Sequence, residues 1–183
     1  MKSQKIKILG LDISTSITGA SVVESGKIIE NAYWDTRNKR HFPTLYEKAS
    51  LVKQNLLDIR DRHEIKEILI EQSLQSFRSG FSSAKTLSTL SRFNGIVSWM
   101  CYEIFQVHPQ MIGASSARKK AGVEIKRGEN AKEKVLQFVL DNFPQIDIQY
   151  TKHGNPKPGM YDLCDSIIIA LAGDKIAGEI KTT

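Results

Sequence analysis

The chain opens on a mostly apolar run, residues 6–13 (IKILGLDI), followed at once by the turn residues Ser14, Thr15 and Ser16. This is the pattern of a buried central strand, although periodicity alone does not separate so short a run from a helix. Residues 18–24 and 27–36 read as two more strands, with Ser25-Gly26 as the hairpin turn between them. Three consecutive strands joined by short turns make an antiparallel meander. Pro43 then opens a helix in which Leu45, Ala49, Val52, Leu56 and Ile59 recur at alternating steps of four and three, one apolar stripe. Residues 67–71 (EILIE) form a short apolar run ending in an acid. Strand, long helix, strand predicts a parallel crossover that lays this strand beside the first.

The pattern then changes. Residues 72–83 are rich in Ser, Gln and Gly and read as a long loop, a length usually functional in a compact domain. A helix is predicted from Ala84 to about Ile104, with Leu87, Leu90, Val97 and Ile104 inward. Residues 106–112 read as an edge strand, because Pro109 lacks a ladder donor. Residues 115–121 form a short basic helix and 124–128 a basic loop. Glu129 and Asn130 open the next helix, through Leu140, with acids in its first turn as the helix dipole prefers. Pro144, Pro156, Pro158, Gly154 and Gly159 mark residues 143–159 as a long surface connection. The last helix runs from near Met160 to about Ala177. No repeat or linker interrupts this order, so residues 1–183 are expected to form one α/β domain.

Composition narrows the partners. The formal net charge is +6, which favours polyanions. Seven cations (Arg118, Lys119, Lys120, Lys126, Arg127, Lys132 and Lys134) face only Glu124, Glu129 and Glu133 within residues 118–134, a surplus of four charges. That concentration points to phosphate contacts and to steeply salt-dependent binding; a solvated face with internal ion pairs is the alternative. Cys101 and Cys164 sit in apolar helical contexts and fit no metal-ligand spacing, so buried free thiols are expected. No apolar run is long enough to cross a membrane, and no signal-peptide core follows the start, which predicts a cytoplasmic protein.

The candidate chemistry lies in four acids. Asp12 ends the first strand; on this stretch alone it reads equally as a cap for the following turn or as a metal ligand. Glu71 ends the strand predicted beside it. Asp162 and Asp165 lie three apart in the last helix and so share a face. Alone, that pair also reads as a solvated acidic first turn. Sites in open sheets form where strand ends and connections converge. Four carboxylates without His or Cys are hard oxygen ligands, suited to Mg²⁺ or Mn²⁺ rather than zinc. Two such ions about 3.5–4 Å apart can clamp the attacking and leaving oxygens of a phosphoryl displacement.

At this point the chain resembles the RuvC-like Holliday junction resolvases of the ribonuclease H-like superfamily. ILGLDISTSITGASVV is similar to the family's opening strand and turn. ILIEQSLQSF resembles its second acidic motif, ARKKAGVEIKRGENAKEKV its basic segment, and YDLCDSIIIALAG its closing Asp-x-x-Asp helix. The motifs stand in family order and span nearly the whole chain. Two departures, Asp12-Ile13-Ser14 in place of Asp-Pro-Gly and the Pro-rich stretch at 155–159, suggest a divergent member of phage or viral type.

The resemblance implies a mixed sheet of a three-strand antiparallel meander plus parallel strands, with helices on both faces. It implies two Mg²⁺ ions, replaceable by Mn²⁺, on Asp12, Glu71, Asp162 and Asp165, and hydrolysis to 5′-phosphate and 3′-hydroxyl ends. It implies a homodimer cutting four-way junctions symmetrically, and other branched DNA as a further substrate. Lys119 or Lys120, and Lys132, match family lysines on the DNA backbone; Arg118, Lys126 and Arg127 extend the same surface. Phe77, or Leu74 at the nearer spacing, matches the family's base-stacking residue, with Arg78 beside it. Helix residues Phe93, Val97 and Trp99 read either as core or as a partner face. Three alternatives stay open: a relaxed fork or flap nuclease, a non-catalytic DNA-binding module, and an ATP-binding domain, since DISTSITG also resembles the phosphate hairpin of sugar kinases and actin.

Overall fold

The computed structural model describes residues 5–72 and 84–180. Five strands form one mixed sheet: β1 (Lys7–Asp12), β2 (Ile17–Glu24), β3 (Lys27–Asp35), β4 (Ile65–Glu71) and β5 (Gln110–Ile112), in the order β3-β2-β1-β4-β5. The meander pairs antiparallel, and β4 and β5 add in parallel. The β2–β3 turn rests on Ser25 and Gly26, both at positive φ (51° and 73°), the conformation a two-residue hairpin requires.

The helices divide between the two faces. On one face lie α1 (Leu45–Arg62) and α2 (Ala84–Phe105); on the other lie α3 (Ala114–Ala121), α4 (Ala131–Asn142) and α5 (Met160–Ile180). Strand periodicity assigns the faces. Leu9 and Leu11 of β1 pack under α1 and α2, whereas Ile8 packs under α5. Gly10 meets α5 backbone, and Asp12 follows at the same parity. Helix α1 starts at a capping box, Thr44 with Glu47, worth about 1 kcal/mol. Its buried stripe is Ala49, Val52, Leu56 and Ile59, with Leu45 only half-buried.

Three expectations need correction. In α2 the core side is Phe93, Asn94, Val97, Met100 and Cys101; of the four inward residues expected, Val97 alone is fully buried. Phe93 and Val97 are therefore core rather than partner face, and Trp99, 59% exposed, points away. The edge strand shrinks to Gln110–Ile112, beginning only after Pro109. The connection 143–159 is not wholly superficial: Ile146 and Ile148 are buried beside α4 and α5, and Tyr150 bridges to Pro156.

Helix α5 lies close against the sheet because small residues line the crossing. A Cβ on Gly10 would stand 2.4 Å from the Ala170 nitrogen and 2.6 Å from the Ser166 oxygen. One on Gly19 would stand 2.0 Å from the Asp162 carbonyl oxygen. Between them the buried hydroxyls of Ser21 and Ser166 bond at 2.7 Å. At the far end, the Asp174 carboxylate accepts from the Ser25 and Gly26 amides at 3.2 and 2.8 Å, tying α5 to the hairpin turn.

Candidate active site

Sheet register brings the first two acids together. Leu11 pairs with Ile70 in the parallel ladder, so one further step puts Asp12 beside Glu71, both at the parity of the α5 face. On the other side Asp12 pairs with Gly19, the residue on which the Asp162 carbonyl rests. The bare Gly19 backbone thus sets the height of the first turn of α5, and with it Asp162 and Asp165. The turn after β1 is capped by Ser14, whose hydroxyl accepts from the Ser16 and Ile17 amides at 3.2 and 3.0 Å. Among the described residues the Asp12 carboxylate accepts no hydrogen bond. The cap reading of Asp12 therefore fails; Ser14 does that work.

The four acids act on one another. Burial, then the charges of Glu71, Asp165 and Asp162, push the Asp12 carboxyl well above the usual carboxylate range. Burial and then Asp165 push Glu71 up to about 7. Burial raises Asp162 and Asp165 as well. Lys132 opposes the rise at all four, Arg118 at Glu71 and Asp165, and Arg37 at Asp162. Arg118 Nη2 lies 3.9 Å from Asp165 Oδ1, and the Asp165 side chain is 13% exposed. Lys132 sits 5.7 Å above the Tyr161 ring, in the same α5 turn as Asp162.

Does this set suit a divalent cation? Among the described residues no three Asp, Glu, His or Cys side chains close into a ready-made metal cage. The donors nonetheless fit: four carboxylates and no nitrogen or sulfur are a hard-oxygen set. Each is desolvated, and Asp12, Glu71 and Asp165 are also pushed up by the charge of another of the four, a load that a divalent cation would relieve.

Raised carboxyl pKa values give stability a definite pH dependence. An acid whose folded pKa is raised costs stability once it must ionise, so stability present at low pH is lost as pH climbs. For Glu71 the window runs from 4.5 to about 7. The cation-free protein is expected to melt lower at about pH 8 than at about pH 5, and Mg²⁺ to restore the melt at the higher pH only. A melting temperature that ignores both pH and Mg²⁺ would show that the acids share no site.

The other sequence candidates distribute around this cluster. Arg118, Lys119 and Lys126 line a cavity of about 770 Å³ between α3, the basic loop and the start of α4. Lys120 turns away, its ammonium 2.6 Å from Glu179. Arg127 is exposed on the basic loop. Leu74, Phe77 and Arg78 lie outside the described residues. Sequence reasoning missed Arg37, which follows β3, pairs with Asp35 and with it adds to the charge felt by Asp162. A lone Arg after a strand carries no periodic signal; only the hairpin register brings it there.

A mixed sheet of this order, with helices on both faces, is a ribonuclease H-like α/β architecture. Structural comparison refines it. The chain matches Thermus thermophilus RuvC in complex with a Holliday junction substrate over 95% of its own length and 96% of that chain, with TM-score 0.69 and 16% identity. A second Thermus thermophilus RuvC structure matches over the same shares, with TM-score 0.65 and 16% identity. The yeast mitochondrial Holliday junction resolvase Ydc2 matches over 96% of this chain and 80% of that one, with TM-score 0.61 and 14% identity. The protein therefore has a RuvC-like fold. No protein-family model matches the chain, and no curated protein matches it in sequence.

Proposed function

We propose that the protein is a divalent-cation-dependent endonuclease that resolves four-way DNA junctions by phosphodiester hydrolysis. The observation that carries this reading is the convergence of Asp12, Glu71, Asp162 and Asp165 at one end of a RuvC-like sheet, with Lys132 and Arg118 beside them. One of the matching folds is a RuvC bound to a Holliday junction, which supports branched DNA as the substrate.

In this reading the four carboxylates hold two Mg²⁺ ions, for which Mn²⁺ substitutes. When bound, the ions supply charge stabilisation at the scissile phosphate and lower the pKa of a bound water. The chain's own residues do the rest. Asp12 is the acid that feels the charges of the other three and would be the ligand central to the set. Lys132 balances the cluster and faces the incoming phosphate. Lys119, Lys126 and Arg127 hold the backbone further out, with Lys119 favoured over Lys120 because Glu179 already engages Lys120. Leu74, Phe77 and Arg78 remain candidates for base contacts at the branch. Two copies acting together would cut symmetric strands. Free, buried Cys101 and Cys164 suit a cytoplasmic location.

Labelled four-way junction, replication fork and linear duplex, each with Mg²⁺ or EDTA, test the proposal. Paired symmetric nicks in the junction that need the cation are expected. Equal cutting of forks and flaps would replace the resolvase by a relaxed debranching nuclease. No cleavage of any substrate, with Mn²⁺ tried as well, would leave a DNA-binding module.

A further inference from the structure

We propose a second phosphate-binding flank, residues 36–48, in which exposed Lys39 and Arg40 grip a DNA backbone on the β3 side of the acid cluster, while Arg37 on Asp35 and Lys48 on the Thr15 carbonyl hold the segment in place. The inference rests on the nuclease reading and adds a surface outside the basic segment 118–134.

The flank is built against the site. Thr36, 2% exposed, donates its amide to the Ser16 carbonyl at 2.8 Å and its hydroxyl to the Thr15 and Ser16 carbonyls, both at 3.1 Å. The Lys48 ammonium donates to the Thr15 carbonyl as well. Residues 36–48 are thus sewn to the turn that directly follows Asp12. The stretch between is ordered: the Asn38 carbonyl accepts from the His41 and Phe42 amides at 3.1 and 2.9 Å, and the Asn38 side chain accepts from the Arg40 amide at 3.0 Å.

Its charges are unbalanced. Arg37, Lys39, Arg40 and Lys48 are cations. Of the two acids nearby, Glu47 is engaged by the Thr44 cap, its carboxylate accepting from the Thr44 amide at 2.9 Å. Asp35 is forked by Arg37 at 2.6 Å. Lys39 and Arg40 are exposed and have no ion-pair partner among the described residues. Lys48 is held close enough to Lys39 that the second charge, after burial, pulls its pKa down. Cations crowded together beside an acidic site, rather than dispersed, complement a polyanion. Tyr46, 78% exposed on the same first turn of α1, adds a ring of the kind that stacks on unpaired bases.

The two flanks lie on either side of the acids. Arg118 Nη2 stands 3.9 Å from Asp165 Oδ1, while residues 36–48 leave the end of β3, at the opposite edge of the sheet from β5 and the helix α3 that follows it. A strand crossing the cluster would be held on both sides of the bond to be cut, which keeps that bond from swinging.

Fluorescence anisotropy of a labelled four-way junction, titrated with the full chain in EDTA across a salt series, tests the flank apart from cleavage. Removing one phosphate-binding cation makes the log-affinity versus log-salt slope shallower by about 0.9. Replacing Lys39 and Arg40 together by Gln is expected to make it shallower by roughly two units and to weaken low-salt binding about tenfold. Lys119→Gln with Lys126→Gln serves as the comparator on the other flank. Lys39→Glu with Arg40→Glu provides a second, charge-reversed variant; neither variant touches an internal ion pair, so weakened binding with an unchanged melt is expected. Unchanged slope and affinity in both flank variants, while the comparator lowers them, would overturn the flank and leave the nuclease reading standing. A parent chain that binds no junction at any salt would overturn both.

Discussion

Asp12→Asn is expected to abolish junction cleavage, by on the order of 10³-fold or more, the scale on which removing one preorganised electrostatic group acts. Binding of the junction should persist. The reason for confining the loss to chemistry lies in the surroundings of Asp12. Its carboxylate takes no hydrogen bond among the described residues, so the isosteric amide breaks nothing there. It is instead pushed toward neutrality by burial and by Glu71, Asp165 and Asp162. Removing its charge removes repulsion. The cation-free variant should therefore melt as high as the parent at neutral pH, or higher, with a shallower decline toward alkaline pH. Loss of cleavage with the melt retained is the combined result to look for. Retained turnover would take Asp12 out of the mechanism; a lower melt would mean that its charge holds the fold.

Much of this site is legible in the sequence. A polar residue in an apolar strand advertises itself, which exposes Asp12 and Glu71, and the i, i+3 spacing exposes Asp162 with Asp165. The hairpin is equally plain, because Ser25-Gly26 must take positive φ and little else in the meander can. Legibility fails where apolar residues run around an element. Helix α2 carries apolar residues around much of its surface (Leu87, Leu90, Phe93, Ile96, Val97, Trp99, Met100 and Ile104), so the pattern alone does not say which are covered. Packing in the core with β4 and α1 buries Phe93, Val97 and Met100 and sets Ile96 and Ile104 against them, while Trp99 stays exposed. The proline- and glycine-marked stretch 143–159 hides the inward turn of Ile146 and Ile148 for a similar reason: turn residues report backbone direction, not side-chain burial. Arg37 is invisible because its place depends on a hairpin register.

Gly19→Ala is expected to damage activity out of proportion to stability. The added methyl would stand 2.0 Å from the Asp162 carbonyl oxygen and 2.6 Å from its carbon. Those are backbone atoms of a helix pinned at its other end by Asp174 on the β2–β3 turn, so no side chain can swing aside. The first turn of α5 must lift, and Asp162 and Asp165 lift with it, away from Asp12 and Glu71. Overpacking of this kind costs about 1–3 kcal/mol. A displacement of about 1 Å in a catalytic group can cost about 10²-fold in rate. Gly10→Ala is the control. Its methyl would strike Ala170 and Ser166 at 2.4 and 2.6 Å, one to two turns further along the helix, so it should cost similar stability while moving the acids less. Melting curves and single-turnover junction cleavage on both variants would separate the effects. Equal activity losses at equal stability losses would mean that Gly19 is only a packing residue. A larger loss for Gly19→Ala would mean that a bare backbone on β2 sets the spacing between the sheet's acids and the helix's acids.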